Sequence, residues 1–190
     1  KGKGKVKTVT ITTRGPKGQR DTVHFHTLPH TPKITLPTYP SDALTVRTNF
    51  PNSQILTFEH KQKLTEWYGP GWVLLYQGTK DGFKASDFHE RCDERGATVV
   101  VIQSKDGWVC GGFNPTSWTS PGVWAINPTA SVFTLANPNR IPPTRYVCTQ
   151  PEYSVCNSWG YGPTFGGGKD IYVANECNVN SHSFINFPDS

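Results

Sequence analysis

A chain of 190 residues is long enough to bury a genuine core and is expected to form one main domain. Its net charge of +5 is unevenly spread: residues 1 to 33 hold eight Lys or Arg against one Asp, a net of +7, while residues 34 to 190 hold eleven against thirteen, a net of −2. No run approaches the length of a transmembrane helix and no signal-peptide pattern is present, so a soluble protein is expected. With no methionine at all, position 1 included, the sequence reads as a fragment, a processed product or a sequence read from material rather than from a gene, and its cellular address is not legible in its first residues.

The basic character belongs to the N-terminal arm. Val6 to Thr13 and Thr22 to Leu28 are β-branched runs separated by a basic, glycine-containing stretch, and they predict two strands joined by a mobile loop. A lone hairpin is marginal in water, so the arm must dock on the domain that follows or on another chain. Lys1, Lys3, Lys5, Lys7, Arg14, Lys17 and Arg20 are its candidate partner-binding residues. They suit an acidic surface, and a solvated tail that keeps the protein soluble is the competing reading. Specific nucleic-acid recognition is not expected, because Phe25 is the one aromatic residue among the first 33. His24 and His26 share a strand face with His30 close behind, yet no carboxylate or Cys nearby completes a metal site. Pro29, Pro32, Pro37 and Pro40 then form an extended linker. The chain divides into an arm, residues 1–40, and a main domain, residues 41–190.

Thr57 caps a predicted helix from Phe58 to Tyr68, with Leu64, Trp67 and Tyr68 inward and Gly69-Pro70 as its stop. Trp72 to Gln77 and Ala97 to Ser104 are short apolar runs suited to buried strands, and Lys105-Asp106-Gly107 is a hairpin turn. Between them, Asp87 to Arg95 places Phe88 and Cys92 on one face of a second helix, capped near Ser86 and stopped at Gly96. Further on, Gly166, Gly167 and Gly168 stand between an aromatic loop and an Ile-Tyr-Val strand. A phosphate-cradling loop ending at Lys169 would need Gly where Pro163 stands and Ser or Thr where Asp170 stands. Gly162, Pro163, Phe165, Gly166, Gly167, Gly168 and Asp170 therefore read as a structural loop, with at least one glycine at positive φ and Asp170 in a buried hydrogen-bonding role.

These elements predict a mainly β (α+β) fold: a two-sheet antiparallel β-sandwich with two short helices at its edges, plus the N-terminal β-strand arm. Trp72, Leu74, Tyr76, Phe88, Val99, Val101, Phe113, Phe133, Leu135 and Tyr172 are its expected core.

Five cysteines, none in a C-x-x-C pair, give neither a zinc site nor a redox motif. Cys92 and Cys110 read as buried free thiols. Cys148 and Cys156, flanking Pro151, could face one another in a hairpin; they read first as a reduced pair, with a disulfide as the alternative. No nucleophile elbow, zinc-helix motif or paired-acid motif occurs, so no catalytic residue, cofactor or metal is expected.

One ordered set of segments carries a resemblance. Leu74-Leu75-Tyr76, Asp81-Gly82-Phe83, Phe88-His89 with Cys92-Asp93, the Thr98-to-Ile102 strand, Gly111-Gly112-Phe113, Trp118, Phe133-Thr134-Leu135, and Gly162 to Gly168 with Asp170 span roughly residues 55 to 187. The chain resembles the TLDc domain of the oxidation-resistance and nuclear-receptor-coactivator-like proteins and of many protist proteins. The resemblance implies a non-enzymatic protein-interaction module, linked to protection against oxidative damage and, for several members, to binding the vacuolar proton-pumping ATPase. It favours a cytoplasmic address, with an extracellular one still open. Cys110 where an aromatic is usual, Asn127-Pro128-Thr129 in place of an acidic stretch, and the basic arm depart from the pattern. The arm leaves a second function class open: a structural or assembly subunit that polymerises by strand exchange with other copies, into a filament or surface protein.

Overall fold

The computed structural model describes residues 2–3, 6–14 and 49–186, and of residues before 49 only the backbone pairing. It contains two six-stranded antiparallel sheets. The inner sheet is built from β2 (Val6–Arg14), β3 (Trp72–Gln77), β4 (Thr98–Ser104), β5 (Val109–Asn114), β7 (Ser131–Ala136) and β8 (Thr144–Val147), in the order β3-β2-β4-β5-β7-β8. The outer sheet runs β1-β12-β11-β10-β9-β6, from β1 (Gly2–Lys3), β6 (Pro121–Ala125), β9 (Val155–Ser158), β10 (Thr164–Phe165), β11 (Ile171–Tyr172) and β12 (Phe184–Ile185).

β4 shows why the inner sheet sits in the middle of the molecule. Its Val99, Val100, Val101 and Ile102 are consecutive and all buried, so both faces need cover. Val100 and Ile102 join Tyr76, Cys110, Trp118, Val155, Phe165 and Ile171 in the core between the sheets. Val99 and Val101 join Leu64, Tyr68, Trp72, Phe133 and Leu135 in a second core. That second core lies beneath α1 (Phe58–Tyr68), which packs on the sheet's face and not at the edge where the sequence pattern puts it. Most of the expected core is buried, with Leu74, Phe113 and Tyr172 only partly so.

Adjacent glycines in β5 let aromatic rings close over both faces of that strand. A Cβ on Gly111 would lie 2.6 Å from the Phe133 ring, and one on Gly112 would lie 2.6 Å from the Phe165 ring. Phe165 continues the inter-sheet core through edge-to-face contacts to Trp118, 5.5 Å between centroids, and from there to Phe88 at 5.2 Å. The Trp118 indole N–H donates to Thr98 Oγ1 at 2.8 Å, which satisfies the one polar atom of a fully buried ring.

The helices differ from expectation mainly at their ends. α1 starts after Thr57, whose hydroxyl accepts the His60 N–H, and stops at Gly69. A one-turn helix, α2 (Gly78–Asp81), follows β3 directly. α3 spans Ala85–Cys92 instead of Asp87 to Arg95. Its first turn is anchored from a distance, by the Ala85 N–H donating to Asn175 Oδ1, and Ser86 plays no capping part. The hairpin turn lies where the sequence puts it, with Gly107 at φ 89°.

β2 forms where the first arm strand is expected, and it is docked in the chain's own inner sheet, between β3 and β4. Both of its edges are therefore taken, leaving none for a hairpin partner. The expected second arm strand, Thr22 to Leu28, lies outside the described residues, as do His24, His26, His30 and the four linker prolines.

The Cys148–Cys156 disulfide that the sequence leaves open is not formed, and all five cysteines are free thiols. The physical reason is topological. Cys148 follows β8 at the edge of the inner sheet, where its N–H donates to Ala130 O, whereas Cys156 lies in β9 of the outer sheet beyond a 3-10 turn, Pro151–Tyr153. The two never share a hairpin. No helix of the described residues is long and apolar enough to cross a membrane.

Candidate interaction site

Strand register assigns the outer sheet two unlike faces. Ala125, Val155, Phe165, Ile171 and Ile185 pair in one row across β6, β9, β10, β11 and β12, and all five pack into the inter-sheet core. The neighbouring row, Trp124, Cys156, Thr164, Tyr172 and Phe184, must face the other way, because side chains alternate along a strand. This outward row is closed over by the glycine loop.

Gly166 has φ 78°, and the turn from it to Lys169 is closed by the Lys169 N–H donating to Gly166 O at 2.8 Å. The Gly166 N–H donates to Ser154 O, tying the loop to the start of β9. A Cβ on Gly166 would run into the Asp170 carboxylate, and one on Gly167 would come within 2.8 Å of Tyr153 Cβ. Gly162 approaches Val173, donating its N–H to Val173 O at 2.9 Å, while the Val173 N–H donates to Pro163 O. Gly168 meets nothing. Phe165 belongs to the core.

The loop aims Lys169 back across the outward row. Its Nζ lies 4.4 Å from the Tyr161 ring centroid and 4.2 Å from that of Tyr172, a cation held between two rings. Tyr172 also touches Phe184, 5.4 Å between centroids. Burial pushes the Cys156 thiol up while the Lys169 charge pulls the other way. The loop's charge is thus used internally. Asp170 is held above the usual carboxylate range by desolvation. Its backbone carbonyl accepts the Asn186 N–H at 2.7 Å, and no side-chain hydrogen bond to its carboxylate is found among the described residues.

A second polar cluster fastens α3 to the outer sheet. His89 Nε2 is 2.9 Å from Ser158 O and 3.0 Å from Tyr161 O, while Nδ1 is 2.8 Å from Asp93 Oδ1. The Ser120 hydroxyl donates to Asp93 Oδ2 at 2.5 Å. These are the residue types of a hydrolytic triad in a different arrangement, because the nitrogen that would take a serine proton is occupied by two carbonyls. The cluster works as a staple joining α3, the start of β6 and the turn after β9. His89 and Asp93 are four apart on a helix, which is a legible signal, but nothing local marks Ser120.

Exposed apolar side chains gather where β6 borders solvent. Among the described residues β6 pairs only with β9, so its other edge has no strand partner there. Val123 and Tyr153 are exposed there, with Ile126 at 75% and Trp159 at 73% the most exposed large hydrophobics of this region. The Tyr153 ring packs edge-on against Trp124, extending the outward row to this edge. Of the basic arm residues, Lys3 lies in β1 and Lys7 and Arg14 in β2, while Lys1, Lys5, Lys17 and Arg20 fall outside the described residues. No group of three or more metal-ligating side chains occurs among the described residues.

A two-sheet sandwich with this loop, this aromatic core and one helix-covered face defines the class, and comparison with protein families names it. The TLDc domain model matches residues 50–187, so the chain belongs to the TLDc domain family. No curated protein and no solved structure matches it.

Proposed function

We propose that this chain is a non-enzymatic TLDc protein-interaction module, of the type linked to oxidative-stress protection and to binding of the vacuolar proton-pumping ATPase. The observation that carries the reading is the family match, which covers every strand from β3 to β12. The β6 edge, with Val123 and Tyr153 exposed along it and Ile126 and Trp159 exposed at its two ends, supplies the contact surface in this reading, since exposed apolar residues beside an unpaired edge suit a protein partner. The basic arm adds attraction to an acidic partner surface and speeds the encounter.

Titration of the full chain against purified vacuolar ATPase, reading complex formation and ATP hydrolysis together, tests the proposal. Binding at about micromolar concentration is expected, weakened at least tenfold by the pair Ile126→Ser and Trp159→Ser. Absence of binding, or binding that this pair leaves unchanged, overturns the proposed partner or the proposed surface respectively.

A further inference from the structure

One strand of the inner sheet comes from outside the family-matched segment. β3, β4, β5, β7 and β8 all lie within residues 50–187, but β2 does not. It is not an added edge strand. It pairs with β3 at five register positions, from Thr10↔Gln77 to Arg14↔Trp72, and with β4 at seven, from Val6↔Ser104 to Thr13↔Thr98.

Because β2 is antiparallel to both neighbours, β3 and β4 run parallel to each other with a strand-wide gap between them. The gap cannot stay empty. It is flanked by Tyr76 of the inter-sheet core and by Val99 and Val101 of the core under α1, and backbone groups left unpaired beside buried side chains cost much of their desolvation. The occupant must be a strand of β2's pattern. Nothing in the pairing requires that strand to belong to the same molecule: residues 15–48 separate it from Asn49, a tether long enough to reach its own gap or a neighbour's.

We propose that the gap between β3 and β4 is a strand-acceptor site that takes Val6–Arg14 of a second copy of this chain. Reciprocal exchange gives a closed dimer, and one-way exchange gives a head-to-tail chain. Both occupants make the same ladders, so the choice depends on the concentration of the second copy against the effective concentration of the chain's own strand, which is of order millimolar for segments joined in one chain. The +7 on residues 1 to 33 against the −2 on the remainder favours the encounter at low salt.

Paired cysteines in full-length chains test this directly. Thr8→Cys and Gln103→Cys occupy register partners on β2 and β4, and Thr13→Cys and Val73→Cys do so on β2 and β3, at an exposed β3 position that is safe for folding. The single variants of each pair are mixed, unfolded together in urea, returned to buffer and oxidised. Peptide mapping should find chains joined from position 8 to 103, or 13 to 73, with a yield that falls about tenfold for each tenfold dilution below millimolar. A chain carrying both substitutions of a pair should form the same link internally. The proposal is overturned if the internal link forms but neither mixed pair joins, if the internal link itself fails in both pairs, or if dimers join only through the chain's own five cysteines.

Discussion

The two sheets are built from strands of different sequence character, and the difference separates what holds the molecule together from what it presents. β4 of the inner sheet is buried on both faces and reads as a continuous Val-Val-Val-Ile run. The outer sheet alternates: one row is wholly apolar and faces the core, while the other mixes Trp124, Cys156, Thr164, Tyr172 and Phe184 beneath Lys169. The inner sheet is covered on both sides and carries stability; the outer sheet's second face is closed by the glycine loop around Tyr172 and is exposed near β6, at Val123 and Tyr153.

The largest effect that sharpens this contrast is truncation in the doubly covered sheet. Phe133 is fully buried and packs against Tyr68, Trp67 and the Gly111 backbone. Phe133→Ala should cost about 3 to 5 kcal/mol in urea denaturation. Tyr172→Ala, on the outward row, should cost clearly less, and equal losses would break the distinction between the sheets.

Next in size is the glycine loop. Gly166→Ala places a Cβ at φ 78° against the Asp170 carboxylate, and a loss of roughly 1 to 3 kcal/mol is expected. Gly168→Ala meets no atom and should change stability by less than about 0.5 kcal/mol. If the two substitutions behaved alike, the loop would not be set by backbone geometry.

The smallest effect is a pH dependence. Burial raises the Asp170 pKa above its ordinary 3.8, so the folded state holds that proton more tightly than the unfolded chain. Its contribution is therefore favourable at low pH and declines as pH rises from 3.8 through the raised value. Asp170→Asn should remove that decline, making the variant's Tm gain on the parent protein with rising pH. A gain that shrinks instead would reverse the sign of the burial effect.

Much of this architecture is legible in the sequence because local chemistry decides it. Thr57, Gly69, Gly107, the β-branched runs of β2 and β4 and the apolar run of β3 mark elements close to where they form, and Gly166 takes the positive φ expected of one glycine in its loop. What is not legible depends on contacts distant in sequence. The first turn of α3 is anchored by Asn175, the His89 and Asp93 pair needs Ser120 and two carbonyls, one at the end of β9 and one just after it, and the separation of Cys148 from Cys156 follows from a change of sheet. Lys169 stands beside glycines as a phosphate-loop lysine would, yet it is held by two tyrosines, one of them on the next strand. The arm's first strand is visible in its β-branched run, while its seat between β3 and β4 is a property of the topology alone.

Amide hydrogen exchange resolved strand by strand tests the central claim most directly, because it reports on β2 and on both sheets in one measurement. The account predicts that Val6–Arg14 is protected to nearly the same level as β4, opening only with global unfolding, while β6 exchanges through local opening. Exchange of Val6–Arg14 at the rate of a free peptide, with β4 still protected, would contradict it.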